Sequence, residues 1–123
     1  MILIVEDDPQ VARLINLVLQ RNGFIGEIVA DGNKALEKAR AQLPQMIFAD
    51  LTIRGMGGEE LCGALKKESA TRDIPFIVLS GDRDIAEKAK GCGANDHLGK
   101  PFEFDDLLRL VKKYAKTESN HPN

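Results

Sequence analysis

The sequence predicts an α/β domain built on a doubly wound, five-stranded parallel sheet, a (βα)5 arrangement of strand order 2-1-3-4-5. Two observations carry this reading. Five short apolar runs alternate strictly with five longer helix-favouring stretches, the pattern of a parallel sheet covered by helices on both faces. The chain has 123 residues, enough for one core and too few for two ordinary domains. Right-handed crossovers leave few topologies for five such units, and 2-1-3-4-5 is the common one.

The elements follow in order. Ile2 to Val5 is the first apolar run. Asp8-Pro9 then pairs an N-cap residue with proline at the first helical position. Val11, Leu14, Ile15, Val18 and Leu19 fall on one helical face, and Gly23 is the expected stop. Phe24 to Ala30 is the second run; Asp31-Gly32 leads into a helix from about Lys34 to Gln42. Pro44 breaks the chain before the third run, Met46 to Ala49, which ends on Asp50. Gly55 to Gly58 reads as a loop and Glu59 to Lys67 as a helix. Pro75 opens the fourth run, Phe76 to Leu79, ending at Ser80. A short helix spans Asp84 to Lys90 with Gly91 as its stop, and Asp96 to Gly99 is a weaker fifth strand before Lys100-Pro101. The last helix runs from Phe104 to Lys116. Residues 1–116 therefore form the domain and 117–123 a polar, frayed tail.

Composition narrows the function. The chain is 43% hydrophobic and 29% charged, as in ordinary globular proteins, which argues against disorder. A formal charge of -2 with no basic face argues against direct nucleic-acid binding, and 5% aromatics without tryptophan against a base-stacking surface. Cys62 and Cys92 lack the spacing and the companions of a zinc site and read as small buried hydrophobes in a reducing cytosol. The first residues lack the basic region of a signal peptide, and no apolar run approaches the roughly 18 residues of a membrane span. A cytoplasmic domain with no membrane contact is expected.

In open α/β sheets, ligands sit beyond the carboxyl ends of the strands where the strand order reverses. The residues ending the apolar runs are Glu6-Asp7-Asp8, Asp50, Ser80 and, just after the fifth, Lys100. Strands one and three are expected neighbours, so their carboxylates converge and repel. A hard divalent cation relieves that repulsion, and Mg2+ favours a partial carboxylate shell completed by water. A carboxylate beside Mg2+, with an ammonium and a hydroxyl at hand, suits phosphoryl transfer to Asp50 as nucleophile. Lys100 would neutralise phosphoryl oxygens and Ser80 would donate a hydrogen bond. Asp8, directly before Pro9, reads instead as a helix cap.

Ile2 to Asp8, Asp50 to Gly58, Phe76 to Ser80 and Lys100-Pro101-Phe102 together resemble, in the right order, the motifs of response-regulator receiver domains of two-component signalling. Each motif alone is weak, the four at strand ends are specific, and the likeness covers Ile2 to about Lys116. The resemblance implies a flavodoxin-like fold and a phosphoacceptor at Asp50. It implies Mg2+ held by Glu6, Asp7, Asp50 and the Thr52 main-chain carbonyl, Ser80 as switch hydroxyl, Lys100 facing the phosphoryl group, and a cis bond to Pro101. It further implies a sensor histidine kinase or histidine phosphotransfer protein as donor. An output protein or domain would read the surface of the fourth helix, fifth strand and fifth helix.

Three departures stand out. Arg54 replaces the usual proline, the Ser80 to Lys100 stretch is slightly short, and His97 stands where a Tyr or Phe usually reports the switch. A histidine there would make switching sensitive to pH, because imidazole changes charge in the physiological range. The alternative is that His97 stays solvated. An aspartyl-phosphate hydrolase would need an acid two residues after the nucleophile, where this chain has Thr52. A flavin or nucleotide binder would need phosphate-binding donors where Glu6-Asp7-Asp8 stand. A degenerate receiver acting as a protein-interaction scaffold remains open.

Overall fold

The computed structural model describes residues 1–116; the tail predicted over 117–123 lies outside the described residues. In chain order the elements are β1 (Ile2–Val5), α1 (Pro9–Arg21), β2 (Gly26–Val29), α2 (Gly32–Gln42) and β3 (Met46–Asp50). Then come α3 (Gly58–Lys67), β4 (Phe76–Ser80), α4 (Ile85–Cys92), β5 (Asp96–Gly99) and α5 (Phe104–Tyr114). The five strands form one parallel sheet in the order β2-β1-β3-β4-β5, as predicted.

Every residue of β1, β3 and β4 is buried, which is why these runs are continuous rather than alternating. The strand period of two still sorts their side chains between two cores. Leu3, Val5, Ile47, Ala49, Phe76 and Val78 face α2, α3 and α4, where they meet Leu36, Leu61, Leu65 and Ala89. Ile2, Ile4, Met46, Phe48, Ile77 and Leu79 face α1 and α5, meeting Ile15, Leu19, Leu107 and Val111. Truncating a central side chain such as Phe48 to alanine would cost about 3–5 kcal/mol.

Asp8 caps α1 by accepting from the Gln10 and Val11 backbone N–H groups at 3.0 and 3.4 Å, the role its place before Pro9 predicts. Gly23, with φ 86°, follows the end of the same helix. Elsewhere the boundaries differ. β2 is shorter than the apolar run, because Phe24 turns under α1 into the core. α2 begins at Gly32 rather than Lys34, since Asp31 accepts from Asn33 and Lys34 N–H at 2.8 and 3.1 Å.

The predicted stop of α4 at Gly91 is corrected to Gly93. That residue adopts φ 86°, and its N–H closes the helix on Ala89 and Lys90, while Gly91 lies inside α4. α5 ends at Tyr114 rather than Lys116, and the Tyr114 hydroxyl is bonded to the Asn95 carbonyl and to Asp96 at 3.1 and 2.9 Å. Cys92 is also corrected: Cys62 is buried, but Cys92 is only partly so. No helix of the described residues is long and apolar enough to cross a membrane.

Candidate functional site

Strand register brings the polar strand ends together. Val5 pairs with Ala49, so Glu6 leaves β1 beside Asp50 at the end of β3. Asp50 pairs with Leu79, which puts Ser80 next along β4, and Ser80 pairs with Gly99. The Lys100 N–H then donates to the Ser80 carbonyl at 2.8 Å, fixing where the lysine side chain starts. This edge is where the order reverses between β1 and β3, the ligand position of open α/β sheets.

The Lys100 ammonium spans the two buried acids, donating to Glu6 Oε1 and to Asp50 Oδ2 at 2.7 Å each. Glu6 is 1% exposed and Asp50 7%, so both carboxylates lie largely out of water. Glu6 Oε2 also accepts from the Asp8 N–H at 3.1 Å. Asp50 Oδ1 accepts from the Thr52 N–H at 3.1 Å and from its hydroxyl at 3.3 Å. Burial raises the Glu6 carboxyl above the ordinary carboxylate range, against the lowering effect of the Lys100 and Asp8 hydrogen bonds; the Asp50 charge adds to the rise. Burial alone would lower the Lys100 ammonium, but its two carboxylate partners outweigh it and hold it raised.

Asp7 completes the cluster. Ligand oxygens of Glu6, Asp7 and Asp50 all lie within 4.8 Å of one another, the one such group of metal-ligating side chains among the described residues. Three carboxylates against one ammonium leave two negative charges uncompensated, and a small divalent cation with oxygen preference fits that deficit. Such an ion would be held by Glu6, Asp7 and Asp50, and it would supply charge neutralisation for an incoming anionic group.

Ser80 is 4% exposed, and its Oγ accepts from the Asp82 N–H at 2.9 Å. Asp82 in turn pairs with Lys88 of α4 at 2.9 Å, a link the sequence reading did not include. The Lys100-Pro101 bond is cis. Below the site, α3 approaches so closely that a Cβ on Gly58 would sit 2.4 Å from the Asp50 carbonyl oxygen. His97 stands apart from the cluster: its side chain is exposed on β5, beside Asp106, Arg109 and Lys113.

Of the expected site residues, Glu6, Asp7, Asp50, Ser80 and Lys100 converge at one sheet edge, and Thr52 touches Asp50. The fold and this edge define a flavodoxin-like α/β domain with an acid-and-lysine site at its topological switch point. The chain belongs to the response regulator receiver domain family, whose model matches residues 2–112. It is 31% identical over 123 residues to the DNA-binding response regulator MtrA of Mycolicibacterium smegmatis, covering 98% of this chain and 53% of that protein. It is 34% identical over 119 residues to the response regulator ArlR of Staphylococcus saprophyticus, covering 95% and 53%. The chain thus spans about half the length of these relatives.

Among solved structures it resembles chemotaxis protein CheY4 of Vibrio cholerae, with TM-score 0.84 and 28% identity over 92% of this chain and 96% of that one. It also resembles the receiver domain of the sensor histidine kinase PA1611 of Pseudomonas aeruginosa. That match has TM-score 0.85 and 29% identity over 92% of this chain and 94% of that chain, whose structure holds a magnesium ion in its active-site cleft.

Proposed function

We propose that this chain is the phosphoacceptor switch of a two-component or phosphorelay system, and that Asp50 takes the phosphoryl group from a phosphohistidine. The observation that carries the reading is the Lys100 ammonium held 2.7 Å from both Asp50 and Glu6 at the mouth of the sheet. An Asp50 carboxylate oxygen attacks phosphorus, the N–P bond to the donor imidazole breaks, and the imidazole leaves with a proton. Lys100 follows the charge from the carboxylate to the phosphoryl oxygens, and the Ser80 hydroxyl donates to one of them. Glu6, Asp7, Asp50 and the Thr52 main-chain carbonyl would hold Mg2+.

Thr52 stands where a turnover enzyme of the hydrolase type would need its acid, so the chain is read as a signalling domain rather than a phosphatase. The donor is a sensor histidine kinase or a histidine phosphotransfer protein in the cytoplasm. The response reaches α4, β5 and α5 from Ser80, whose bond to Asp82 and thence to Lys88 gives it a direct line to α4. His97, on that surface, moves inward when Ser80 moves toward the phosphoryl group. An output protein or domain reads the change.

Incubation with acetyl phosphate and Mg2+, followed by mass spectrometry, tests the reading. An acyl phosphate on Asp50 in the wild type and none in Asp50→Asn is expected; undiminished labelling of the variant would sink it.

A further inference from the structure

The seam between α3 and α4 holds the chain's two cysteines. Cys62, on α3, is 0% exposed, and its Sγ donates to the Cys92 carbonyl oxygen at 3.3 Å. Cys92 is the last residue of α4, and its own Sγ donates back to Ala89 at 3.4 Å. The second cysteine borders a groove of about 490 Å³ shared with Gly63, Gly91, Lys66 and Lys67. A Cβ on Gly63 or Gly91 would meet nothing within 4 Å, so both helices leave this approach open to a small solute.

Lys66 lies one turn beyond Cys62 on α3, and its stem runs against Gly93, with 3.5 Å from its Cγ to a Cβ built there. The Lys66 ammonium donates to the Arg72 and Ile74 carbonyls and to Asn95 Oδ1 at 3.0, 2.8 and 2.8 Å, three neutral acceptors. Burial lowers the Lys66 ammonium against the opposing influence of the two thiols and Asp73, and Glu59 and Glu60 share the groove. Burial, and then the Cys92 thiol next to it, push the Cys62 thiol up. Cys92 is only partly buried and lines the groove, whereas Cys62 lies behind it, so Cys92 is the sulfur that an entering solute meets first.

We propose that Cys62 and Cys92 form a redox pair that closes to an intramolecular disulfide when hydrogen peroxide enters this groove, joining α3 to the end of α4. The Cys92 sulfur attacks a peroxide oxygen, the O–O bond breaks, and the departing hydroxide takes the thiol proton, leaving a sulfenic acid and one water. The Cys62 sulfur then attacks the Cys92 sulfur, and the S–O bond breaks. The hydroxide leaves with the Cys62 proton as a second water. Two thiols lose two electrons and the peroxide gains them. α4 and β5 lie between Ser80 and Lys100 in the chain, so the cross-link restrains the segment that carries the response; that consequence alone rests on the function proposed above.

The test is hydrogen peroxide treatment of the whole chain, then alkylation and digestion without reductant. A monomer two hydrogens lighter is expected, with the Cys62 and Cys92 peptides joined, two alkylatable thiols lost, and both recovered with dithiothreitol. Asp50→Asn should form the same disulfide, which separates failure here from failure of the phosphoacceptor reading. Two thiols that stay alkylatable, a Cys92 sulfinic acid beside a free Cys62, or a link between two chains would each overturn the proposal. The wild-type mapping decides this without a variant, and Cys92→Ala should leave Cys62 reduced.

Discussion

Lys100 and Asp50, fifty residues apart in the chain, meet at 2.7 Å, and the same ammonium reaches Glu6 at 2.7 Å. One cation thus holds two buried acids whose charges would otherwise oppose each other across neighbouring strands. The pairing makes Lys100 a structural brace and, in the function proposed, the charge that meets an incoming phosphoryl group.

Lys100→Met should accordingly lower Asp50 labelling by acetyl phosphate and lower stability by about 2 kcal/mol, less than the ~3–5 for a fully buried pair because the lysine is partly exposed. Adding Glu6→Gln should return part of the stability without returning the labelling. A double-mutant cycle by urea unfolding, run beside the labelling assay, checks both. Strictly additive stabilities would show that Lys100 and Glu6 are not coupled.

The acids at positions 7 and 8 should behave differently. Asp7 belongs to the metal-ligating cluster, whereas Asp8 spends its carboxylate on the Gln10 and Val11 N–H groups. Asp7→Asn should weaken Mg2+ binding in titration calorimetry far more than Asp8→Asn. Asp8→Ala should cost about 1 kcal/mol of stability, as lost caps do. Equal losses of metal affinity would remove the capping assignment.

Two glycines of α3 should respond oppositely to alanine. At Gly58 the new Cβ would meet the Asp50 carbonyl oxygen at 2.4 Å and the Leu51 Cα at 2.9 Å, both backbone, so the floor of the site must shift. Gly58→Ala should destabilise by about 1–3 kcal/mol and reduce phosphorylation. At Gly63 nothing lies within 4 Å, and Gly63→Ala should stabilise by up to about 1 kcal/mol. Thermal melts of both variants give the comparison directly.

What the sequence made legible follows from which interactions are local. The runs of β1, β3 and β4 are buried on both faces, so composition alone marks them, and the polar residues Glu6, Asp50 and Ser80 directly follow or end them. The Asp8 cap is likewise written in two adjacent residues. The Glu6–Lys100 contact spans 94 positions, and only the sheet order creates it. The same holds for Cys62 and Cys92, which meet because α3 packs on α4 and not because of any spacing signal. The end of α4 was ambiguous for a different reason. Gly91-Cys92-Gly93 offers two stops, and the left-handed closure that selects Gly93 depends on bonds to Ala89 and Lys90.

His97 is exposed in this structure, so an inward role requires it to move. His97→Ala should leave Asp50 labelling intact while reducing the chemical-shift response of α4 and β5 to beryllofluoride. An unchanged response would make the histidine a bystander on the surface.

Glu6 should leave a signature in stability against pH. Its folded carboxyl is raised, first by burial, so between the ordinary value of about 4.3 and the raised one the folded chain holds more protons there than the unfolded chain. Stability contributed at this site therefore falls as pH rises through that window, and the penalty is absent below it. Asp96 acts in the opposite sense. Burial would raise it, but the His97 N–H, the Tyr114 hydroxyl and Lys113 outweigh that and lower it, so its contribution is lost in acid. The two effects overlap in the wild type, and the difference between wild type and Glu6→Gln isolates the first. In chelator, that difference should move in favour of Glu6→Gln as pH rises from about 4 and then level off. In Mg2+ it should shrink or reverse, because a cation favours the charged carboxylate. Urea melts across the series measure it, and a difference that is flat with pH in chelator would mean that Glu6 titrates alike in the folded and unfolded chains.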